Sequence, residues 1–175
     1  YKLGALYSTA EAKDVKITGK VHDGKQSFWL NAQQQLTQQG ADPKRGLYIS
    51  FNGVINDKAT TTVQSTQQIA LWYKGPLENR PNDSVGFGLA NYVVNERVQD
   101  RQIATNQSRG YDRYDAFSSD YTPIQRDELN VELNYTYQWS PAIMLRPNLQ
   151  YIHQPAGVKE VDDAWVAGLS MRVNF

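Results

Sequence analysis

Glu132 and Asn134, then Arg146, Asn148 and Gln150, then Arg172 stand in nearby stretches of the chain, and within each stretch the spacing is two. Side chains two residues apart share one face of a β-strand, so neighbouring strands would gather these residues onto a single surface. Together they supply a carboxylate that only accepts, guanidinium forks that only donate, and amides that do both. That mixture suits a neutral polyol, and Trp72 or Trp29 would add a flat apolar plane for the C–H face of a sugar ring. With Glu and Arg side by side, a passage lined this way favours neither sign of ion strongly. Any one of these residues also fits the generic polar lining of a wide water-filled barrel, so the reading rests on the set.

Residues able to do covalent chemistry are scarce. His22 and His153 are the only histidines. Both fall in or near expected loops, where neither a Ser-His-Asp arrangement nor a zinc-ligand spacing can be read. The absence of cysteine excludes disulfides, thiolate metal sites and thiol nucleophiles. Glu160, Asp162 and Asp163 could hold calcium at a loop mouth, but they lack the alternation and glycine of an EF-hand loop. A solvated loop, or a cation shared with lipopolysaccharide, is the default for them. Gly86-Phe-Gly88 precedes a strand rather than a helix, unlike a nucleotide-binding turn. The sequons at Asn106 and Asn134 carry little weight in a bacterial protein. The expectation is a protein that is not an enzyme, with no catalytic residue, metal or cofactor. Lys plus Arg equals Asp plus Glu at 18 each, which argues against nucleic acid as a partner.

Strands must position the candidate residues. Residues 129–139 alternate Leu129, Val131, Leu133, Tyr135, Tyr137 and Trp139 with Asn130, Glu132, Asn134, Thr136 and Gln138. After a tight turn at Ser140, Pro141 and Ala142 comes a second strand. It sets Ile143, Leu145, Pro147, Leu149 and Tyr151 against Met144, Arg146, Asn148, Gln150 and Ile152. The last stretch sets Trp165, Ala167, Leu169, Met171, Val173 and Phe175 against Val166, Gly168, Ser170, Arg172 and Asn174. Weaker alternation places Ile69, Leu71 and Tyr73 opposite Gln68, Ala70, Trp72 and Lys74. It also sets Leu47, Ile49 and Phe51 opposite Tyr48, Ser50 and Asn52, and Phe28, Leu30, Ala32 and Leu36 opposite Trp29, Asn31, Gln33 and Gln35. Residues 1–8 read as a strand already in progress. In 85–94 the phase slips between Leu89 and Tyr92, which predicts a bulge or a face covered by protein. Pro147 sits awkwardly, because proline withholds a ladder donor.

Eight strands of roughly 10 residues, apolar on one face and polar on the other, are the signature of a transmembrane β-barrel. Tyr135, Tyr137, Trp139, Tyr151, Trp165 and Phe175 then read as interfacial girdles. The longest wholly apolar run, residues 69–73, is far short of the roughly 20 residues a membrane-spanning helix needs. A mean hydropathy of -0.62 does not decide against a membrane, since a barrel hides its lipid face in alternate residues. Short turns are periplasmic and longer loops extracellular in bacterial barrels, so 140–142 is expected inside and the polar stretch 96–126 outside. The connections near Ala41 and Pro76 should be periplasmic yet are not very short. One barrel unit over 1–175 is expected, and any signal peptide would lie outside the chain.

The run Lys74-Gly-Pro-Leu-Glu-Asn-Arg-Pro-Asn-Asp-Ser-Val-Gly-Phe-Gly-Leu-Ala90 resembles the turn and following strand of carbohydrate-selective porins of the OprB type. Pro147-Asn-Leu-Gln-Tyr-Ile-His-Gln-Pro155, Asp162-Asp-Ala-Trp-Val-Ala-Gly-Leu169 and Val173-Asn-Phe175 resemble that family's final hairpin. The resemblance implies an outer-membrane barrel of about sixteen strands, of which this chain would be the carboxyl-terminal half. It implies passive diffusion of sugars such as glucose, and recognition of Phe175 by the barrel-assembly machinery. Outer-membrane lipid and lipopolysaccharide are the expected surroundings; monomer and homo-oligomer are both open. Two competing readings remain at this point: a complete eight-stranded barrel with a structural or adhesion role, and a lipid hydrolase built on His22 and His153.

Overall fold

The computed structural model describes residues 1–112 and 115–174, so the expectation attached to Phe175 lies outside the described residues. Eight strands form one sheet: β1 (Lys2–Ser8), β4 (Lys25–Gln35), β5 (Gly46–Asn56), β6 (Val63–Lys74), β7 (Ser84–Val94), β8 (Glu128–Gln138), β9 (Ile143–His153) and β10 (Ala164–Val173). Each pairs antiparallel with the next in chain order, leaving β1 and β10 as the two edges. A short hairpin of β2 (Ala12–Lys13) and β3 (Val21–His22) fills the loop after β1, and helix α1 (Glu96–Ser108) follows β7.

The pleat separates two chemistries. On one face, rows run across the sheet such as Ile69–Leu89–Val131–Tyr151–Trp165 and Leu71–Phe87–Leu133–Leu149–Ala167. These side chains are uncovered: Leu133 is 53% exposed and Leu169 71%. Among the described residues the only buried apolar side chains are Val15, Val94 and Val98, so the sheet has no dry core. An apolar band of this extent, left bare on a paired sheet, is the outer surface of a membrane barrel. Aromatic residues stand at its margins, with Tyr73, Tyr135 and Tyr137 toward the short turns and the touching pair Tyr151 and Trp165, 5.1 Å apart, toward the long loops.

One local expectation is corrected. Pairing of β7 with both neighbours runs in register through Leu89, Ala90, Asn91 and Tyr92, so no bulge lies there; the irregularity is at Val63 and Ser65 opposite Val94 and Val93. The phase slips because Tyr92 turns to the polar face, in line with Ala90 and Glu128. The covered face does exist one turn of the pleat later, at buried Val94. Pro147 has the predicted consequence in mild form. The β8–β9 ladder lapses opposite Pro147 and Arg146, then resumes at Tyr137–Leu145 without a change of register.

The longer turns are folded tightly. Each closes on an isolated bridge, Gln39–Asp42 or Leu77–Arg80, followed by Pro43 or Pro81. Arg45 Nη2 donates to the carbonyl of Gly75 at 2.8 Å, tying the first turn to the second. Arg80 grips buried Asp83 through Nε at 2.8 Å, donates to the Gln138 carbonyl at 3.1 Å, and lies 4.0 Å over the Tyr137 ring. The Tyr135 hydroxyl and the Gln138 N–H also donate to Asp83, at 2.6 and 2.9 Å. Burial pushes the Asp83 carboxyl up, but these donors outweigh it and hold the group below its ordinary value.

The other end is held by buried polar groups. Asp14 accepts from His22 Nε2 at 2.8 Å, from Arg97 Nη2 at 2.9 Å and from the N–H groups of Lys16 and Ile17, and the His22 bond leads in holding its carboxyl far below the usual range. Helix α1 starts at Asn95, whose side chain caps the Arg97 N–H and also donates to the carbonyls of Lys58 and Thr61. Its buried stripe is Val98, Gln102 and Asn106, of which the two amides bind the segment beyond: Asn106 and Thr122 exchange two bonds of 2.8 Å, while Gln102 accepts from the Gln125 N–H at 3.0 Å and donates to Gln125 Oε1 at 3.1 Å. This helix lies in the stretch expected to be a loop.

Leu133→Arg places a charge at the centre of the apolar face and should cost about 2–4 kcal/mol, measured by denaturant unfolding of the full-length protein in vesicles. Ala90→Arg, on the opposite face, should cost less than about 1 kcal/mol. Equal costs would contradict the assignment of faces.

Candidate functional site

On the polar face, cross-strand register builds the site row by row. One row reads Trp72–Gly86–Asn134–Asn148–Gly168, and the next Ala70–Gly88–Glu132–Gln150–Val166. The hub is Glu132, which accepts from Asn134 Nδ2 at 2.8 Å, Gln150 Nε2 at 2.6 Å and Asn148 Nδ2 at 3.1 Å. A carboxylate with three amide donors is fixed in orientation, and it fixes the amides in turn. Beside it Arg146 Nε donates to Thr136 Oγ1 at 3.2 Å, where the ladder lapses next to Pro147.

Two glycines make room for the asparagines. A Cβ on Gly86 would stand 2.8 Å from Asn134 Oδ1, and one on Gly168 would stand 2.2 Å from Asn148 Oδ1. Each amide therefore lies flat across a neighbouring strand instead of standing up from the sheet. Ala70, Gly86, Gly88 and Ala90 form a low floor, and a cavity of about 540 Å³ opens over it with Trp72, Tyr92, Glu132 and Arg146 at its sides. Trp72 is held upright by stacking on Tyr48, the rings 5.3 Å apart and 9° from parallel.

The structure thus brings together Glu132, Asn134, Arg146, Asn148 and Gln150, and turns Trp72 toward them across Gly86. It does not bring Arg172, which sits opposite Met144 on the edge strand and donates to Asn174 Oδ1. Trp29 also stands apart, its indole packed over Gly4 at the other edge. Sequence reasoning missed Tyr92 as a lining residue, since the phase slip before it was read as a bulge or a covered face. It also missed an amide ladder in which Asn31 donates to Asn52 at 2.6 Å and Asn52 to Gln68 at 3.0 Å. Their position on the polar side of the alternation was the available signal.

Each histidine is tied to an aspartate. His22 belongs to the Asp14 cluster, and His153 Nδ1 lies 3.0 Å from Asp163 Oδ1. Asp163 also accepts from the Tyr151 hydroxyl and the Gln154 N–H, and the Tyr151 bond leads in lowering its carboxyl to about 2. Asp163 is thereby committed to its own loop. Among the described residues no group of His, Asp and Glu is arranged to hold a metal ion.

The family model for carbohydrate-selective porins, OprB family, matches residues 1–175. The chain belongs to that family. Putative porin QuiX of Acinetobacter baylyi is 77% identical over the whole chain, which corresponds to 40% of that protein, and Porin B of Pseudomonas aeruginosa is 43% identical over the whole chain and 41% of its own length. The high-pH structure of Pseudomonas putida OprB superposes with a TM-score of 0.92 and 42% identity over 99% of this chain and 44% of that one. The low-pH structure gives a TM-score of 0.60 and 28% identity over 99% and 46%. The chain spans about two fifths of the length of these relatives. OprB-type porins are channels rather than enzymes, and they are β-barrels of the Gram-negative outer membrane; this chain is part of one. The reading as a complete small barrel gains no support, since β1 and β10 do not pair with each other.

The two glycine contacts give a sharp coupling test. Gly168→Ala should destabilise the full-length protein by about 1–3 kcal/mol, because the new methyl group overlaps the Asn148 amide. In an Asn148→Gly background the same substitution should cost much less, so a double-mutant cycle read by denaturant unfolding shows positive coupling. Additive costs would mean that Asn148 does not lie over Gly168.

Proposed function

We propose that the full-length protein is an outer-membrane porin through which sugars such as glucose pass by diffusion, with residues 1–175 as one unit, the carboxyl-terminal half of its barrel. The observation that carries this reading is the Glu132 hub facing Trp72 and Tyr92 across a low floor of glycine and alanine. Hydroxyls of a passing sugar exchange hydrogen bonds with Asn134, Asn148 and Gln150, whose amides both donate and accept. Arg146 adds donors, and the Trp72 ring gives the C–H face of the sugar an apolar plane. Bonds of this kind are exchanged for bonds to water at little net cost, which suits passage more than retention. No covalent step is involved. Arg172 contributes at most to the polar lining on the edge strand. Closure requires roughly eight further strands, because open edges in hydrocarbon cost several kcal/mol per unpaired group. Membrane lipid and lipopolysaccharide surround the barrel, and Phe175 would serve recognition by the assembly machinery.

A liposome swelling assay on the full-length protein tests the selectivity, with glucose, a disaccharide and an amino acid of similar size to glucose. Glucose should enter faster than the amino acid, and Trp72→Ala should narrow that difference. Equal rates for all solutes in the unaltered protein would reduce it to a general porin.

A further inference from the structure

The outer face changes character along one row of the sheet. The last wholly apolar row toward the long loops is Ile69–Leu89–Val131–Tyr151–Trp165, and its final two members are interfacial aromatics in contact. The next row on the same face is Gln67–Asn91–Leu129–His153. Two residues of strand separate the rows, or roughly 7 Å. The polar row therefore stands where hydrocarbon gives way to lipid headgroups. Long connections mark this end as the outer leaflet side.

At that height the face is indented. A cavity of about 640 Å³ is lined by Asn91, Leu129 and His153 of the strands, by Gln99 of α1, and by Arg126, Asp127, Gln154 and Lys159 of the connections. Its parts come from separate connections held together by backbone. Arg126 N–H donates to the Gly157 carbonyl at 2.5 Å, and Gln125 bridges to Val158. The Arg126 guanidinium makes one long bond of 3.3 Å to Gln99 Oε1 and no ion pair, and Lys159 has no hydrogen bond or ion pair among the described residues. Neither cation is paired with a carboxylate: Asp127, which lines the pocket, accepts from the Val94 N–H at 3.0 Å, and Asp163 is held by Tyr151, His153 and Gln154. The turn carrying Lys159 also contains Gln154 and Ala156 at positive φ, 53° and 56°, a conformation that costs energy in residues other than glycine.

We propose that this rim pocket binds the phosphorylated headgroup of an outer-leaflet glycolipid, with Arg126 and Lys159 as its cations and Gln99, Asn91 and His153 as neighbouring polar groups. Guanidinium and ammonium groups with no carboxylate partner, set immediately above an acyl-facing surface, are what a membrane-anchored phosphate meets first. Leu129 at the pocket floor then lies against the first methylene groups of the lipid. The inference rests on the outer-membrane placement of the barrel but not on its sugar selectivity.

Native mass spectrometry of the full-length porin in detergent, with lipid A as the probe, tests the site. The unaltered protein should retain lipid A, and Lys159→Gln and Arg126→Gln should each lower the bound fraction roughly fivefold. Lipid A stripped of its phosphates should bind no better than the doubly substituted protein. Retention unaffected by either substitution, equal binding of the dephosphorylated lipid, or displacement of lipid A by millimolar inorganic phosphate would overturn the proposal. The last result would reassign the pocket to a free anion. Lys159→Gln removes no hydrogen bond or ion pair among the described residues, and single-channel conductance recorded on the same samples separates loss of this site from loss of the channel.

Discussion

A peptide N–H or C=O left without a partner in hydrocarbon costs several kcal/mol, and this sheet meets that demand strand by strand. Once the backbone groups are paired along β1, β4 through β10, every side chain is committed to one of two faces with no intermediate choice. A shift of β8 by one residue would carry Leu133 into the polar interior and Glu132 into lipid. The hydrogen-bonded ladder and the alternation of residue types are thus one constraint seen from two sides. The arrangement of the site follows from it, because Glu132, Gln150 and Gly88 share a row only in this register.

What holds the register differs at the two ends. Toward the short turns, charged groups clasp successive connections, Arg45 reaching the second turn and Arg80 with Asp83 reaching the end of β8. Toward the long loops, neutral amides do comparable work, as Asn95, Gln102 and Asn106 satisfy backbone groups of segments that lack a regular partner. In both places the buried groups are polar and mostly hydrogen-bonded, with Arg45 Nε and Arg97 Nε the exceptions among these clasping groups. Apolar packing, the usual source of stability in a water-soluble domain, is confined here to Val15, Val94 and Val98 among the described residues.

This distribution explains which features were legible from residue order alone. Where one face meets lipid, the alternation is strict, so β8, β9 and β10 could be read almost to the residue, and with them the cluster around Glu132. The loop-proximal ends of β5 and β6 were missed because Gly53, Asn56, Ser65 and Gln67 blur the pattern as the strands leave the apolar band. Helix α1 was missed for a related reason: its buried stripe is Gln102 and Asn106 more than apolar residues, so helical periodicity gives no hydrophobic signal. Tyr92 misled because its ring broke the expected alternation and was read as a bulge or a covered face, when its parity already placed it with Ala90 and Gly88. Arg172 shares the polar face as its spacing implied but stands in the Met144 row, since a shared face does not imply a shared row.

The alternation itself can be measured directly, and within residues 1–175 no native cysteine competes with an introduced label. Single cysteines introduced in turn from Leu129 to Gln138 in the full-length porin, spin-labelled and reconstituted in bilayers, would report collision with lipid-soluble oxygen and with a water-soluble nickel chelate. The account predicts a period of two, with oxygen dominant at 129, 131, 133, 135 and 137 and the chelate dominant at 130, 132, 134, 136 and 138. Oxygen dominance at the Glu132 and Asn134 positions, or no alternation at all, would contradict it.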